Sequence, residues 1–360
     1  MRTSRALWFI FVFGLSACGG DSPPGEEGSE STSPEAPGPS GVEVGPLGPV
    51  PVPSDNPMTP EKIALGHQLF FDVRLSLDGS RSCYSCHRNE DGNGGGDPIA
   101  VGAGERLLTR HSPVIWNVAY MNRFYWDGRS GSLEAQAQGA WGGGNMGVGA
   151  ENLDAKAAEI SAIPEYGPQF RAVFGDRGAT ARTVAEALAA YERTLVCDNT
   201  RYDDFMAGNQ GALSPGERRG MELFNAKGAC ATCHTPPFFS VQFGAPDGVY
   251  YNVGIGIEGR REEDVDVGRQ GVTGLEQDWA AFKVPSLRNV GESAPFFHDG
   301  SVATLQEAVR YMAGPGVANR NLTPLMMERG LADDEIADLV AFLGALACPG
   351  SLVEPALPGG

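Results

Sequence analysis

Residues 83–87 read Cys-Tyr-Ser-Cys-His and residues 230–234 read Cys-Ala-Thr-Cys-His. Both are CxxCH, the spacing at which two thiols form thioether links to a c-type haem while the adjacent imidazole reaches the iron. A zinc site or a redox CxxC would use the same pair of cysteines. One copy could arise by chance in a cysteine-bearing chain, but two copies, each closed by His, in a chain that begins with an export signal decide for haem. Two covalently bound c-type haems are therefore expected, attached at Cys83, Cys86, Cys230 and Cys233, with His87 and His234 as iron ligands.

What surrounds the motifs is also written twice. TPEKIALGHQLF (59–70) precedes the first and SPGERRGMELF (214–224) the second. Each starts with a hydroxyl residue, then Pro, then an early acid. That is a helix start, with a side-chain cap, Pro where no N–H is needed and a negative charge at the positive end of the dipole. Gly66, Leu69 and Phe70 correspond to Gly220, Leu223 and Phe224, which suggests a close helix crossing and a haem-facing pair. Amphipathic stretches at 180–197 and 332–348 predict a closing helix for each module. A helix before CxxCH and a helix at the end is the plan of a small cytochrome c. The fold class expected is all-α, with two tandem cytochrome c-like domains at 58–197 and 198–360.

A second repeat lies between motif and closing helix. Pro113 and Pro285, Asn117 and Asn289, Asp127 and Asp299, Gly128 and Gly300, and Leu133 and Leu305 all stand 172 residues apart. This segment supplies the sixth iron ligand in a cytochrome c. Thr304 to Glu307 reads as a capping box opening a short helix, and Met312 stands at its end, where its thioether would close the second iron. The residue at the same offset in the first module is Ala140, which cannot ligate. The first haem is thus expected to be the open one, and the His/Met site the high-potential one.

The N-terminus is not part of this core. Arg2 and Arg5 precede an apolar run from Ala6 to Leu15, too short to span a bilayer, so residues 1–17 read as a signal peptide. The following Leu-Ser-Ala-Cys resembles a lipobox, with Cys18 as the lipid-bearing residue. Residues 18–57 are Gly, Pro, Ser and acid with few large side chains and are expected to form a disordered tether. The chain of 360 residues carries a formal net charge of −18, which argues against nucleic acid and favours a basic protein partner.

From about Leu65 to Leu346 the chain resembles the bacterial dihaem cytochrome c peroxidase/MauG family, through LGHQLFFDVRLS, both CxxCH motifs, FYWDGR with its following AQAQG, VPSLRNV and APFFHDG. The resemblance implies an electron-transfer haem in the C-terminal domain and a peroxide-reacting haem in the N-terminal one, in a periplasmic or cell-envelope protein. It assigns Trp126 to the position between the haems and Gln136 to the distal pocket. It places Met312 where peroxidases carry Met and MauG carries Tyr, with Tyr311 one residue away. Hydrogen peroxide as substrate and a small electron donor, a c-type cytochrome or a cupredoxin, follow from the same resemblance. A homodimer is neither required nor excluded.

Three departures qualify that reading. The removable distal His of peroxidases would fall near Ala103, so the first site would be open without reductive activation. The family's distal glutamate would fall near Asn145 or Met146, and no carboxylate stands there, although peroxide cleavage needs a group that moves a proton between oxygens. Glu134 and Glu151 are near in sequence but read as solvated surface acids. The family's calcium would use a residue aligned with His111 and carbonyls near Ser293 and Pro295, and His is a poor ligand for so hard a cation. Peroxidase activity is thus set against a MauG-like oxidation of a protein substrate and against a plain dihaem electron carrier or peroxide sensor. Cys197 and Cys348 end the closing helices at matching positions, and an approximate two-fold between modules predicts that they form a disulfide. His67 and His111 are the candidates for an unforeseen ligand of the first iron.

Overall fold

A computed structural model describes residues 46–359. The expected signal peptide, Cys18 and the first part of the expected tether lie outside the described residues. The end of that tether needs correction. Leu47 and Asn56 are buried, and Asn56 Nδ2 donates to Glu134 Oε1 (2.7 Å) and to the Glu186 carbonyl (2.9 Å) while its Oδ1 accepts from Lys62 Nζ (2.8 Å). A buried amide with its bonds filled anchors a Pro-rich stretch that composition alone reads as unordered.

The architecture is helical and double. The first module contains α1 (Pro60–Phe71), α2 (Leu133–Gly142), α3 (Leu153–Ser161), α4 (Tyr166–Phe174) and α5 (Ala181–Glu192). The second contains α6 (Arg201–Met206), α7 (Pro215–Asn225), α8 (Gln270–Thr273), α9 (Leu305–Met312) and α10 (Asp333–Gly344). Among the described residues the one sheet pairs β1 (Tyr250–Tyr251) antiparallel to β2 (Phe282–Lys283). The helix starts follow the sequence signals. Thr59 Oγ1 accepts from the Lys62 N–H ahead of Pro60, and Ser214 and Glu217 form a reciprocal capping box ahead of α7.

Glycine makes the crossing of entry and closing helices in both modules. A Cβ on Gly66 would lie 1.9 Å from the Ala187 carbonyl oxygen, and one on Gly220 would lie 2.0 Å from that of Asp338. The adjoining pairs behave differently from the expectation. Phe224 lines a cavity, but Leu69 and Phe70 are packed into the first module's core, Phe70 against Tyr191 at 5.2 Å.

The closing helices stop at Glu192 and Gly344, short of 197 and 348. The cause is a pair of asparagines. Asn117 and Asn289, at φ 63° and 65°, take the N–H of Cys197 and Cys348 on their Oδ1 atoms, each at 2.8 Å. Their own N–H groups donate to Leu195 (2.8 Å) and Leu346 (2.9 Å). Side-chain bonds from the repeat segment thus replace the helical ladder. The released cysteines meet as expected, with a Cys197–Cys348 disulfide of 2.05 Å.

The modules face each other with matching parts. The His111 N–H donates to the His298 carbonyl (2.7 Å) and the Lys283 N–H to the Trp126 carbonyl (2.8 Å). Residues 111 and 283, like 126 and 298, are counterparts at the 172-residue offset. Each bond is therefore the other's image, the signature of an approximate two-fold. The C-terminal tail crosses back onto the first module, where Leu352 is buried and the Val353 carbonyl accepts from His67 Nε2 (2.6 Å).

Candidate active site

Each CxxCH borders a cavity. The second, about 220 Å³, is lined by Cys230, Cys233 and His234 together with Met312 and Met326 among apolar side chains. Met312 is the last residue of α9, whose start is the Thr304–Glu307 capping box. Tyr311, one residue earlier, is committed elsewhere, its hydroxyl donating to the Val253 carbonyl at 2.8 Å. The helix register thus turns the thioether of Met312, not the phenol of Tyr311, to this cavity.

The first cavity is larger, about 340 Å³, and its wall mixes apolar side chains with many more polar and charged ones than the second. His87, His111, Gln136, Asn145, Glu192 and Lys283 all border it, as do Arg106 and Arg110. Arg110 is held by Asp127 (2.6 Å) and Asp266 (2.7 Å), and Arg129, which also bonds Asp127, lies over the Tyr125 ring at 3.5 Å. Ala103 and Ala140 do not border it. Ala103 is buried in a turn, its N–H donating to the Asn145 carbonyl at 3.0 Å.

Both proximal histidines are set by backbone. His87 Nδ1 bonds the Asn93 carbonyl (3.3 Å) and His234 Nδ1 the Phe239 carbonyl (3.0 Å). A carbonyl only accepts, so Nδ1 carries the hydrogen and Nε2 keeps its lone pair. Burial lowers both imidazoles to about 4, so both rings are neutral at ordinary pH.

Trp126 borders both cavities, as expected of a bridge. Its Nε1 donates to the His111 carbonyl (2.8 Å). Beside it, His298 stacks on Phe282 at 3.6 Å and meets Trp126 edge-on at 6.5 Å. His298 is the counterpart of Trp126 at the repeat offset, so the aromatic wall between the cavities is built from equivalent residues of both modules.

Several sequence expectations are redistributed by this geometry. Glu134 is not a free surface acid. It is half-buried, bonded to Asn56 and, through Arg193 Nη2, at 2.7 Å. Glu151 is exposed and turned to Asn152. Neither borders either of these two cavities. His67 stacks on Tyr191 at 4.6 Å away from the first cavity, which leaves His111 as the second imidazole there. His111 Nδ1 is bonded to the Asp97 carbonyl at 2.9 Å.

Two buried charges were passed over. Lys283 is 9% exposed, meets no carboxylate among the described residues, and its ammonium donates to the Met121 thioether at 3.3 Å. Burial alone lowers it to about 8. Glu192 closes a helix in which every residue from Thr183 onward is buried. The available signal in both cases was a charge inside an apolar run, AAFKVP and ALAAYERTLV.

These features fit a c-type haem in each cavity. His87 borders the first cavity and Cys230, Cys233 and His234 the second, each imidazole bonded to backbone through Nδ1 alone, and the ammonium of Lys283, which meets no carboxylate among the described residues, suits a carboxylate-bearing group such as a haem.

The sequence matches the pattern of the family described as di-haem cytochrome c peroxidase over residues 60–211, and that of cytochrome c over 217–347. It is 40% identical over 340 residues to a cytochrome-c peroxidase of Denitromonas iodatirespirans, covering 88% of this chain and 90% of the relative. It is 36% identical to the methylamine utilization protein MauG of Methylorubrum extorquens, covering 86% of this chain and 85% of that one. Among solved structures, a MauG-like protein associated with microbial copper homeostasis superimposes with a TM-score of 0.77 at 29% identity, over 87% of this chain and 96% of that one.

Proposed function

The chain belongs to the di-haem cytochrome c peroxidase family, and on that premise we propose that it reduces hydrogen peroxide to water with electrons taken singly from a small redox protein. One observation carries this reading. Two cavities of unlike lining, one mostly apolar and bordered by both His234 and Met312, the other bordered by His87, Gln136, Asn145 and Glu192 with Ala140 at the sequence counterpart of Met312, share Trp126 as a wall residue. Bound haem would supply single-electron transfer in the second cavity and peroxide binding in the first.

The residues do the rest. His234 and Met312 would hold the second iron, with the apolar wall excluding water around it. His87 would hold the first. Gln136 and Asn145 offer hydrogen-bond groups to the cavity in which peroxide would bind. Trp126, fixed by its bond to the His111 carbonyl, fills the space between and keeps the electron path short. The domains are taken as 58–197, with the peroxide-reacting haem, and 198–360, with the electron-transfer haem. No calcium is required by this reading.

The disulfide and the thioether motifs suit an oxidising compartment of the cell envelope. A lipid anchor at Cys18 would hold the protein there. No helix among the described residues is long and apolar enough to cross a membrane. The acidic chain suits a basic cytochrome or cupredoxin as donor.

Steady-state turnover tests the reading. With a reduced basic monohaem cytochrome, peroxide is consumed without prior half-reduction, since no His occupies the position of Ala103. The rate falls as salt rises, because exposed charges are screened beyond about 10 Å at 0.1 M. Trp126→Leu slows donor oxidation and leaves both haem spectra intact. Peroxide-driven modification of a protein substrate, with the donor cytochrome left reduced, would replace the peroxidase reading by the MauG-like one.

A further inference from the structure

Peroxide cleavage requires a group that carries a proton from one oxygen to the other, and no carboxylate stands near Asn145 or Met146, where the family's would fall. The fold provides a carboxyl from another element. Among the described residues Glu192 is the one acid that borders the first cavity. It is 9% exposed, and among the described residues its side chain has neither an ion pair nor a hydrogen bond, only the charges of its neighbours. An unpartnered carboxyl so deeply placed is costly unless it has a task.

The helix geometry explains why it points there. Ala189, one turn earlier on α5, packs with Leu133 and Phe124. Gln136 follows Leu133 by one turn on α2. Residues three apart share a helix face, so the α2–α5 contact carries Gln136 and Glu192 to the same cavity. The other nearby acids are engaged, Glu134 by Arg193 and Asn56, and Asp127 and Asp266 by Arg110.

We propose that Glu192 is the proton-transfer group for peroxide in the first cavity. The inference rests on the peroxidase reading and names the acid/base residue it lacks. The Glu192 carboxylate takes the proton from the inner oxygen of hydrogen peroxide and returns it to the outer one. The O–O bond then breaks with its electron pair leaving on the outer oxygen as water. The inner oxygen becomes the second water on taking two electrons, delivered singly by the donor protein, and two protons from solvent.

The surroundings support the role. Burial raises the Glu192 carboxyl to about 8, with Arg193 opposing and Glu134 adding to the rise. Tyr125, ahead of α2, and Cys83, of the first haem motif, face it from the other sides. Tyr191 adjoins it on its own helix. A carboxyl whose affinity for protons lies near working pH exchanges them most effectively.

The test uses the haem-loaded full chain with Glu192→Gln and Glu192→Asp. Peroxide turnover in Glu192→Gln is expected to fall by about 100-fold or more, with part restored in Glu192→Asp and with unchanged resting haem spectra. Cyanide supplies a readout that does not depend on turnover. Hydrogen cyanide gives up a proton when it binds an open ferric haem, so a nearby acceptor puts a step in the pH profile of its affinity. The native protein shows that step and Glu192→Gln lacks it. A step that persists in Glu192→Gln overturns the proposal, including when turnover has fallen, because the loss then reflects packing. A native protein without peroxide turnover but with a Glu192-dependent step removes the peroxidase reading and leaves the proton acceptor standing.

Discussion

The two modules hold their CxxCH motifs on the same scaffold and surround them with opposite chemistry. Each has a capped entry helix crossed by a closing helix at a glycine, and an asparagine that ends the closing helix. Each sets its histidine with a backbone carbonyl. Yet one cavity is smaller, apolar and faced by Met312, while the other is half again as large and bordered by Gln136, Asn145, Glu192 and Lys283. The difference arises on the helix after the repeated Asp-Gly. On α9 the helical register delivers a thioether, whereas α2 carries Ala140 at that offset and presents Gln136 one turn earlier. Function is divided between the modules by a handful of side chains on a shared frame, so a change at those side chains should turn one cavity toward the other.

The largest such change is Met312→Ala. It removes the sixth ligand proposed for the second iron and should convert a low-spin haem to a high-spin one. The potential should fall by on the order of 200 mV, since axial ligand identity is the chief lever on haem potential. Electron resonance of the oxidised native protein should show one low-spin and one high-spin haem, and the variant two high-spin haems. Two low-spin haems in the native protein would break the comparison. His111 would then be the ligand to suspect, because it borders the first cavity and His67 does not.

The frame was far more legible in the sequence than its contents. Helix starts, glycine crossings and the disulfide are local or repeated signals, each visible as a short motif written twice. The helix ends were missed because Asn117 and Asn289 act across about 60–80 positions of chain, through bonds to Cys197 and Cys348. Packing at Leu47 and Asn56 was missed for the same reason, since the partners of Asn56 lie on α2 and α5. Trp126, Gln136 and Met312 were placed at their cavities by resemblance and by the repeat. Glu192 and Lys283 were not, because a single charge in an apolar run does not say which way it faces until the crossing angles of other helices are known.

The claim of a shared frame is broken or sharpened by Gly66→Ala and Gly220→Ala. In each, a methyl would meet a backbone carbonyl at 1.9 or 2.0 Å. A carbonyl cannot rotate aside, so the helices must part, at a cost of roughly 3 kcal/mol each. Urea unfolding followed by circular dichroism should show similar losses at the two sites. A loss confined to Gly66→Ala would mean that the α7–α10 crossing has slack which the α1–α5 crossing lacks.

A smaller effect probes the polar wall itself. Lys283 borders both cavities, but its ammonium is bonded to Met121, which borders only the first. The positive charge should therefore act mainly on the first haem, where it favours the reduced iron. Lys283→Gln should lower that potential by about 60 mV, equivalent to ~1.4 kcal/mol in a one-electron couple, and shift the second by less. The pH dependence has a definite sign. Burial has lowered Lys283 to about 8, and a haem carboxylate beside it would raise that value again. In the native protein the first potential should fall as pH climbs through a window at or above about 8, where the ammonium loses its proton. In Lys283→Gln this fall should be absent. Spectroelectrochemical titration of the two haems across pH 6–10 separates the cases, and an equal drop at both irons would show that the wall between the cavities does not confine the charge.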